Sequence, residues 1–137
     1  MSTEIAEQID AGQKEQFPGH LGVKLLSAAP DEVIGELRVE QHLCTMGSIL
    51  HGGAIMAFAD NLGAIGASLN LEPGFGTTTV ESKTNFLRPA PLGEKVTATS
   101  RMVNKGRTLM LWTTELRDTR DRLIAIVTQS QIVLAPR

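Results

Sequence analysis

Between Leu43 and Leu71 the chain carries no charged side chain except Asp60 and, when protonated, His51. A stretch this long and this poor in charge has to be buried, either in a protein interior or in a bilayer. Thr45, Ser48, His51, Gly52, Gly53, Asp60 and Asn61 interrupt it, which leaves no clean apolar span of about 20 residues. The prediction is therefore a buried helix of a water-soluble fold, running from about Gly52 to Asn70. Alanine, methionine and leucine favour it, Ser48 is placed to cap its start, and Asn70 with Pro73-Gly74 ends it.

At about 100° per residue, Gly53, Met56, Ala57, Asp60, Gly63, Ala64 and Ala67 fall on one face, and Ile55, Phe58, Ala59, Leu62, Ile65 and Leu69 largely on the other. The bulky face is expected on a sheet, and the small face, with Asp60 at its middle, against another backbone. The helix start offers free N–H groups at Gly52 and Gly53 and the positive end of the dipole, a natural place for a developing oxyanion. Asp60 lies eight residues on, about 12 Å along the axis at about 1.5 Å per residue. That is too far for both to act on one atom. If two such helices pack antiparallel about a two-fold axis, the glycine turn of one chain faces the acid of the other, so an obligate homodimer with two composite sites is expected. Taken singly, Asp60 reads as well as a solvated or structurally paired acid, His51 as a capping residue, and Gly52-Gly53 as a tight turn.

The rest of the chain supplies the sheet. Thr3 to Gln16 is polar and helix-compatible, with Pro18-Gly19 as its stop. Val23 to Ala29 and Val33 to Val39 read as strands about a Pro30-Asp31 turn. Four more β-rich segments follow, Thr77 to Leu87, Lys95 to Val103, Leu109 to Arg117 and Leu123 to Leu134, with turns at Pro91-Leu92-Gly93, Lys105-Gly106 and Asp118 to Asp121. Helix, two strands, long helix, four strands gives an α+β fold with a central helix packed on a curved, meandering antiparallel sheet. At 137 residues one domain spanning 1–137 is expected, with 1–20 as an N-terminal helical extension. A formal net charge of −2 with scattered Lys and Arg gives no support for a nucleic-acid or anionic-membrane partner. The single cysteine, Cys44, excludes an internal disulfide and fits a reducing, cytoplasmic compartment. No basic segment followed by an apolar run opens the chain, so no signal peptide is expected.

The pattern His51-Gly52-Gly53, Asp60 nine residues after the histidine, "TTTVESKTNFLRPAPLGE" with Arg88-Pro89 and Gly93, and then "NKGRTLMLWTTEL" resembles the hotdog-fold acyl-CoA thioesterases, specifically their PaaI-like, phenylacetate-type branch. The resemblance runs from about Gly22 to Leu134. It implies a long helix wrapped by an antiparallel sheet and a homodimer, often a dimer of dimers forming a homotetramer. It also implies roles: Asp60 as general base or nucleophile toward the thioester carbonyl, Gly52 N–H as the group polarising that carbonyl, and His51 orienting the site. Thr79, where relatives carry Ser or Thr, would hold water or the carboxylate, and Arg88, Lys105 and Arg107 would contact the CoA phosphates. Relatives commonly carry Asn or Gln six residues before the histidine. Here that place is Thr45, and glycine stands at Gly47 instead of one place later, at Ser48; a hydroxyl of Thr45 or Ser48 would stand in for the amide.

The expected reaction is hydrolysis of an acyl-CoA to free acid and CoA; the alternative is a non-catalytic acyl-CoA-binding hotdog protein, which the Thr45 substitution motivates. Hydratase chemistry is disfavoured because relatives of that kind space their acid differently from the histidine. A nucleophilic Cys44 with His42 or His51 is the least favoured arrangement, since free cysteines are commonly buried and inert. His20, His42 and His51 show no metal-ligand spacing, so neither metal nor cofactor is expected.

Overall fold

The computed structural model describes all of residues 1–137. Two helices, α1 (Ser2–Gly12) and α2 (Phe17–Leu21), precede strands β1 (Lys24–Ala28) and β2 (Glu32–Arg38). A 3-10 turn (Gln41–Leu43) and a two-residue hairpin, β3 (Cys44–Thr45) and β4 (Ile49–Leu50), lead into α3 (Gly52–Ser68). Strands β5 (Gly76–Phe86), β6 (Lys95–Lys105), β7 (Leu109–Arg117) and β8 (Leu123–Leu134) complete the chain. The predicted helix and all six long strands are present. Pro18 does not stop the first helix: it sits in the first turn of α2, where its missing N–H costs nothing. Gly22, at φ 82°, closes that helix in the left-handed conformation glycine favours.

The six long strands form one antiparallel sheet in the order β1-β2-β6-β7-β8-β5. It is not the sequential meander expected from turn spacing: β5 crosses over to pair with β8, from Gly76↔Leu134 to Phe86↔Ala125, and forms one edge of the sheet. α3 lies against β2, β5, β6, β7 and β8. Its Phe58 and Leu62, fully buried, meet Val33, Leu37, Val96, Leu116 and Val127 in the main core. Each such side chain removed from water contributes about 1.5–3 kcal/mol, which is why the apolar face of α3 fixes the helix on the sheet.

The helix faces need one correction. Gly53, Met56, Ala57, Asp60 and Ala64 do lie on the open side, but Gly63 and Ala67 are buried against the chain's own sheet. A Cβ at Gly63 would lie 2.3 Å from Gln129 Cδ, and one at Gly66 2.3 Å from Trp112 Cη2. The glycines of the second half of α3 make room for two large sheet side chains, not for a second helix. No helix is long and apolar enough to cross a membrane.

Candidate active site

The start of α3 is held by a side-chain cap, which is His51 and not Ser48. His51, at φ −63° and ψ 137°, is the N-cap, and its Nδ1 accepts from Gly53 N–H at 2.8 Å. Ser48 is not the cap. It sits in the β3–β4 turn with φ 56°, beside Gly47 at φ 91°, so the left-handed position is taken by a serine. Of the two N–H groups expected to be free, Gly53's is therefore occupied. Gly52's makes no such bond: the carbonyl four residues back, on Ser48, lies outside the helix and accepts from Leu92 N–H at 2.9 Å, not from Gly52. The imidazole thus fixes the helix start and leaves Gly52 as the one donor aimed outward along the positive end of the dipole.

That donor opens onto a pocket of about 510 Å³ lined by Thr45, Ile49, Leu50, Gly52, Ile55, Phe86, Leu87, Arg88 and Pro89. The Phe86 ring lies 3.1 Å from where a Gly52 Cβ would stand, so a side chain at Gly52 would crowd the mouth. Arg88 brings a cation to the same pocket, and Thr45 brings a hydroxyl. Both expected residues are there.

Asp60 lies elsewhere, in an open cleft with Met56, Ala57, Thr79 and Ser82. Thr79 Oγ1 donates to Asp60 Oδ1 at 2.6 Å, which brings those two expected residues together. Two more residues complete the arrangement without having been expected. Gln129 Nε2 donates to Asp60 Oδ1 at 3.3 Å, and to Gln131 Oε1 at 3.2 Å. Gln131 Oε1 also meets Thr79 Oγ1. Both glutamines are fully buried. A signal for them exists in the sequence: Val127, Gln129 and Gln131 share the inward parity of β8, so the two amides must enter the interior.

Gly52 and Asp60 line two different pockets of the single chain. The separation expected from helical rise is thus carried into three dimensions.

The sequence profile of the thioesterase superfamily matches residues 47–125, the span from the hairpin before the His-Gly-Gly turn into β8. The chain belongs to the thioesterase superfamily. Acyl-coenzyme A thioesterase 13 from Homo sapiens is 33% identical over 118 residues, 85% of this chain and 84% of that protein. A solved structure of a thioesterase from Haemophilus influenzae matches with a TM-score of 0.89 at 26% identity, covering 95% of this chain and 90% of that one. The PaaI protein of the Escherichia coli phenylacetic acid degradation operon, at 18% identity and a TM-score of 0.85, covers 99% of this chain and 98% of its own, a likeness of fold. The protein is a thioester hydrolase with the hotdog fold.

Two cations of this thioesterase lie apart from the rest. Lys105 and Arg107 line a cleft with Asn70, Leu71, Glu72 and Phe75 beyond the far end of α3, and Lys105 ends β6 instead of belonging to the turn. Along the 17-residue helix that is about 25 Å from Gly52 at about 1.5 Å per residue, so within one chain they do not join Arg88. Cys44 and all three histidines line a separate cavity of about 310 Å³. There Cys44 Sγ donates to the Glu40 carbonyl at 3.4 Å, while His42 Nδ1 lies 3.7 Å from Glu40 Oε2. The thiol has no imidazole to activate it.

Proposed function

We propose that the protein hydrolyses acyl-CoA thioesters at two equivalent sites of a homodimer, each made from Gly52 of one chain and Asp60 of the other. The observation that carries this is the pairing of an outward Gly52 N–H with an anchored, open carboxylate about 12 Å away on the same helix. Neither half is a site alone. Placed antiparallel about a two-fold axis, the two α3 helices bring one chain's helix start to the other's acid. β5 supports a second copy as the partner: it is an 11-residue edge strand, and Val80 and Phe86 on it, with Leu87 just past its end, are 55%, 54% and 55% exposed. An edge strand this long, with exposed apolar side chains on it, is a pairing surface unless covered.

In this reading the thioester carbonyl oxygen rests against Gly52 N–H, where the helix dipole favours the negative charge of the tetrahedral intermediate. Asp60 of the partner subunit takes a proton from water as the hydroxyl oxygen adds to the carbonyl carbon, or adds directly as a carboxylate. With Asp60 as base, the C–S bond breaks and the proton taken from water passes from Asp60 to sulfur, releasing free acid and CoA thiol. With Asp60 as nucleophile, C–S cleavage expels CoA thiolate and leaves a mixed anhydride, which water hydrolyses to free acid and the Asp60 carboxylate, its proton going to the thiolate. Arg88, at the mouth of the Gly52 pocket, suits a CoA phosphate. A thiol-release screen over acyl- and aroyl-CoAs, with Asp60→Asn beside the wild type, tests the proposal. Thiol release that falls at least a hundredfold in Asp60→Asn is expected. Binding of CoA esters without release across the panel would instead establish the non-catalytic alternative.

A further inference from the structure

Gln129 is placed where a core residue has no reason to be polar. It is fully buried, its Oε1 has no hydrogen-bond partner, and its amide lies so close to α3 that residue 63 must be glycine, since a Cβ there would meet Cδ at 2.3 Å. A buried, half-satisfied amide costs stability, and an apolar side chain of the same shape would not. What the amide does instead is specific. Its Nε2 reaches Asp60 Oδ1 at 3.3 Å and the Asp60 backbone carbonyl at 3.4 Å. Gln131 Oε1, accepting from the same nitrogen at 3.2 Å, turns the NH2 end toward the acid. Gln131 is itself oriented at its other end, where its Nε2 donates to Thr77 Oγ1 at 3.4 Å while the Thr77 hydroxyl donates to the Ile132 carbonyl at 2.8 Å.

The two donors that Asp60 receives, from Thr79 and Gln129, both go to Oδ1. Oδ2 receives none from this chain. Resting on the proposed role of Asp60, we infer that Gln129, held by Gln131, is a positioning residue that pins Oδ1 and so presents Oδ2 as the working oxygen of the carboxylate. Thr79 alone would leave the carboxylate free to turn about one hydrogen bond. Two donors from two strands, β5 and β8, fix its plane, as a base that must meet water in one geometry requires. The side chains that meet Asp60 (Met56 and Ala57 of α3, Thr79 and Ser82 of β5, Gln129 of β8) are all neutral, so no other charge does this work.

The test uses full-length Gln129→Met and Gln129→Glu, with Asp60→Asn as control, assayed by thiol release on whichever acyl-CoA of a short-, medium-chain and aroyl panel the wild type turns over best. Gln129→Met keeps the volume and removes the donors. Its kcat is expected to fall about 10- to 100-fold, the worth of a hydrogen bond to a charged group, with KM within about twofold because the residue does not face substrate. Its melting temperature should hold or rise, since the orphaned Oε1 is gone. Gln129→Glu puts a second carboxyl beside Asp60, and two carboxyls that close share a proton, so the acid limb of the kcat–pH profile should move upward. A merely structural glutamine would leave kcat of Gln129→Met unchanged at an unchanged melting temperature. Wild-type kcat and pH profile in both variants, or a kcat loss that only tracks a lowered melting temperature, overturns the inference while an inactive Asp60→Asn leaves the reaction assignment standing. An Asp60→Asn protein of wild-type rate would overturn the assignment itself.

Discussion

Crossed half-sites make a quantitative prediction for a mixture of two crippled proteins. Gly52→Pro removes the proposed oxyanion donor and little else. Proline is at home in the first helical turn, and His51, at φ −63° and ψ 137°, already has the extended backbone of a residue before proline. The ring would press on Phe86, whose Cε1 is 3.1 Å from the Cβ position; because Phe86 lies on the edge proposed to meet the second chain, the size and melting temperature of the Gly52→Pro dimer are checked before mixing. Loss of an oxyanion donor costs about 10²–10³ in kcat, and loss of the base in Asp60→Asn about 10²–10⁴. Either homodimer lacks one half at both of its sites. A mixed dimer has one site with both halves and one with neither. Equal amounts of the two, unfolded and refolded together, give mixed dimers in about half the population, and each has one working site of two, so about a quarter of wild-type activity should return. The assay is thiol release, against each variant refolded alone and wild type carried through the same cycle. If wild type regains its rate and the mixture does not exceed the mean of its parents, the site is not shared between chains.

Gly66→Ala should destabilise, because the added carbon lands 2.3 Å from the fully buried Trp112 ring; overpacking of about 1–3 kcal/mol outweighs the gain in helix propensity of up to about 1 kcal/mol. Melting followed by the fluorescence of the only tryptophan should fall by several degrees. Cys44→Ala should release thiol at the wild-type rate, since no base reaches the sulfur; a hundredfold loss would reinstate the cysteine as nucleophile. At Asp118 burial disfavours the carboxylate, but the N–H groups of Arg122 and Arg120 and the Arg122 guanidinium outweigh it and hold its pKa below the usual value. A depressed carboxylate stabilises fully above its unfolded value, 3.8, and loses that contribution as pH falls through the folded one. Stability measured by denaturant titration should therefore decline on acidification below about pH 4, less steeply in Asp118→Asn. Asp10, raised by burial against the Leu25 N–H and the Lys24 charge, acts with the opposite sign, so only the variant isolates the Asp118 contribution.

The secondary structure was legible because its causes are local. Alternation in Leu109 to Arg117 and Leu123 to Leu134 and the apolar period of α3 each survive folding with bounds almost unchanged. Strand order was not, since the return of β5 to β8 depends on which edges meet after collapse, and no residue within either strand states it. The small side chains of α3 were misread for a related reason. Gly63 and Ala67 are small because Gln129 and Trp112 arrive from the sheet, and smallness records a close neighbour without saying which.

The same ambiguity runs through the site. Asp60 stood out as a charge among apolar residues, and His51-Gly52 as a helix start, because each breaks a local pattern. Thr79 needed the family resemblance, because a threonine in a strand breaks none. Gln129 and Gln131 sit in "TQSQ", where the outward Thr128 and Ser130 are polar too, so that only parity with Val127 marks them as inward. Polarity on the inward parity of a core strand is costly unless it is used. Such glutamines are worth following even without a motif: here they lead from the middle of β8 to Oδ1 of Asp60, and so to Oδ2, the oxygen that the chain's own hydrogen bonds leave free.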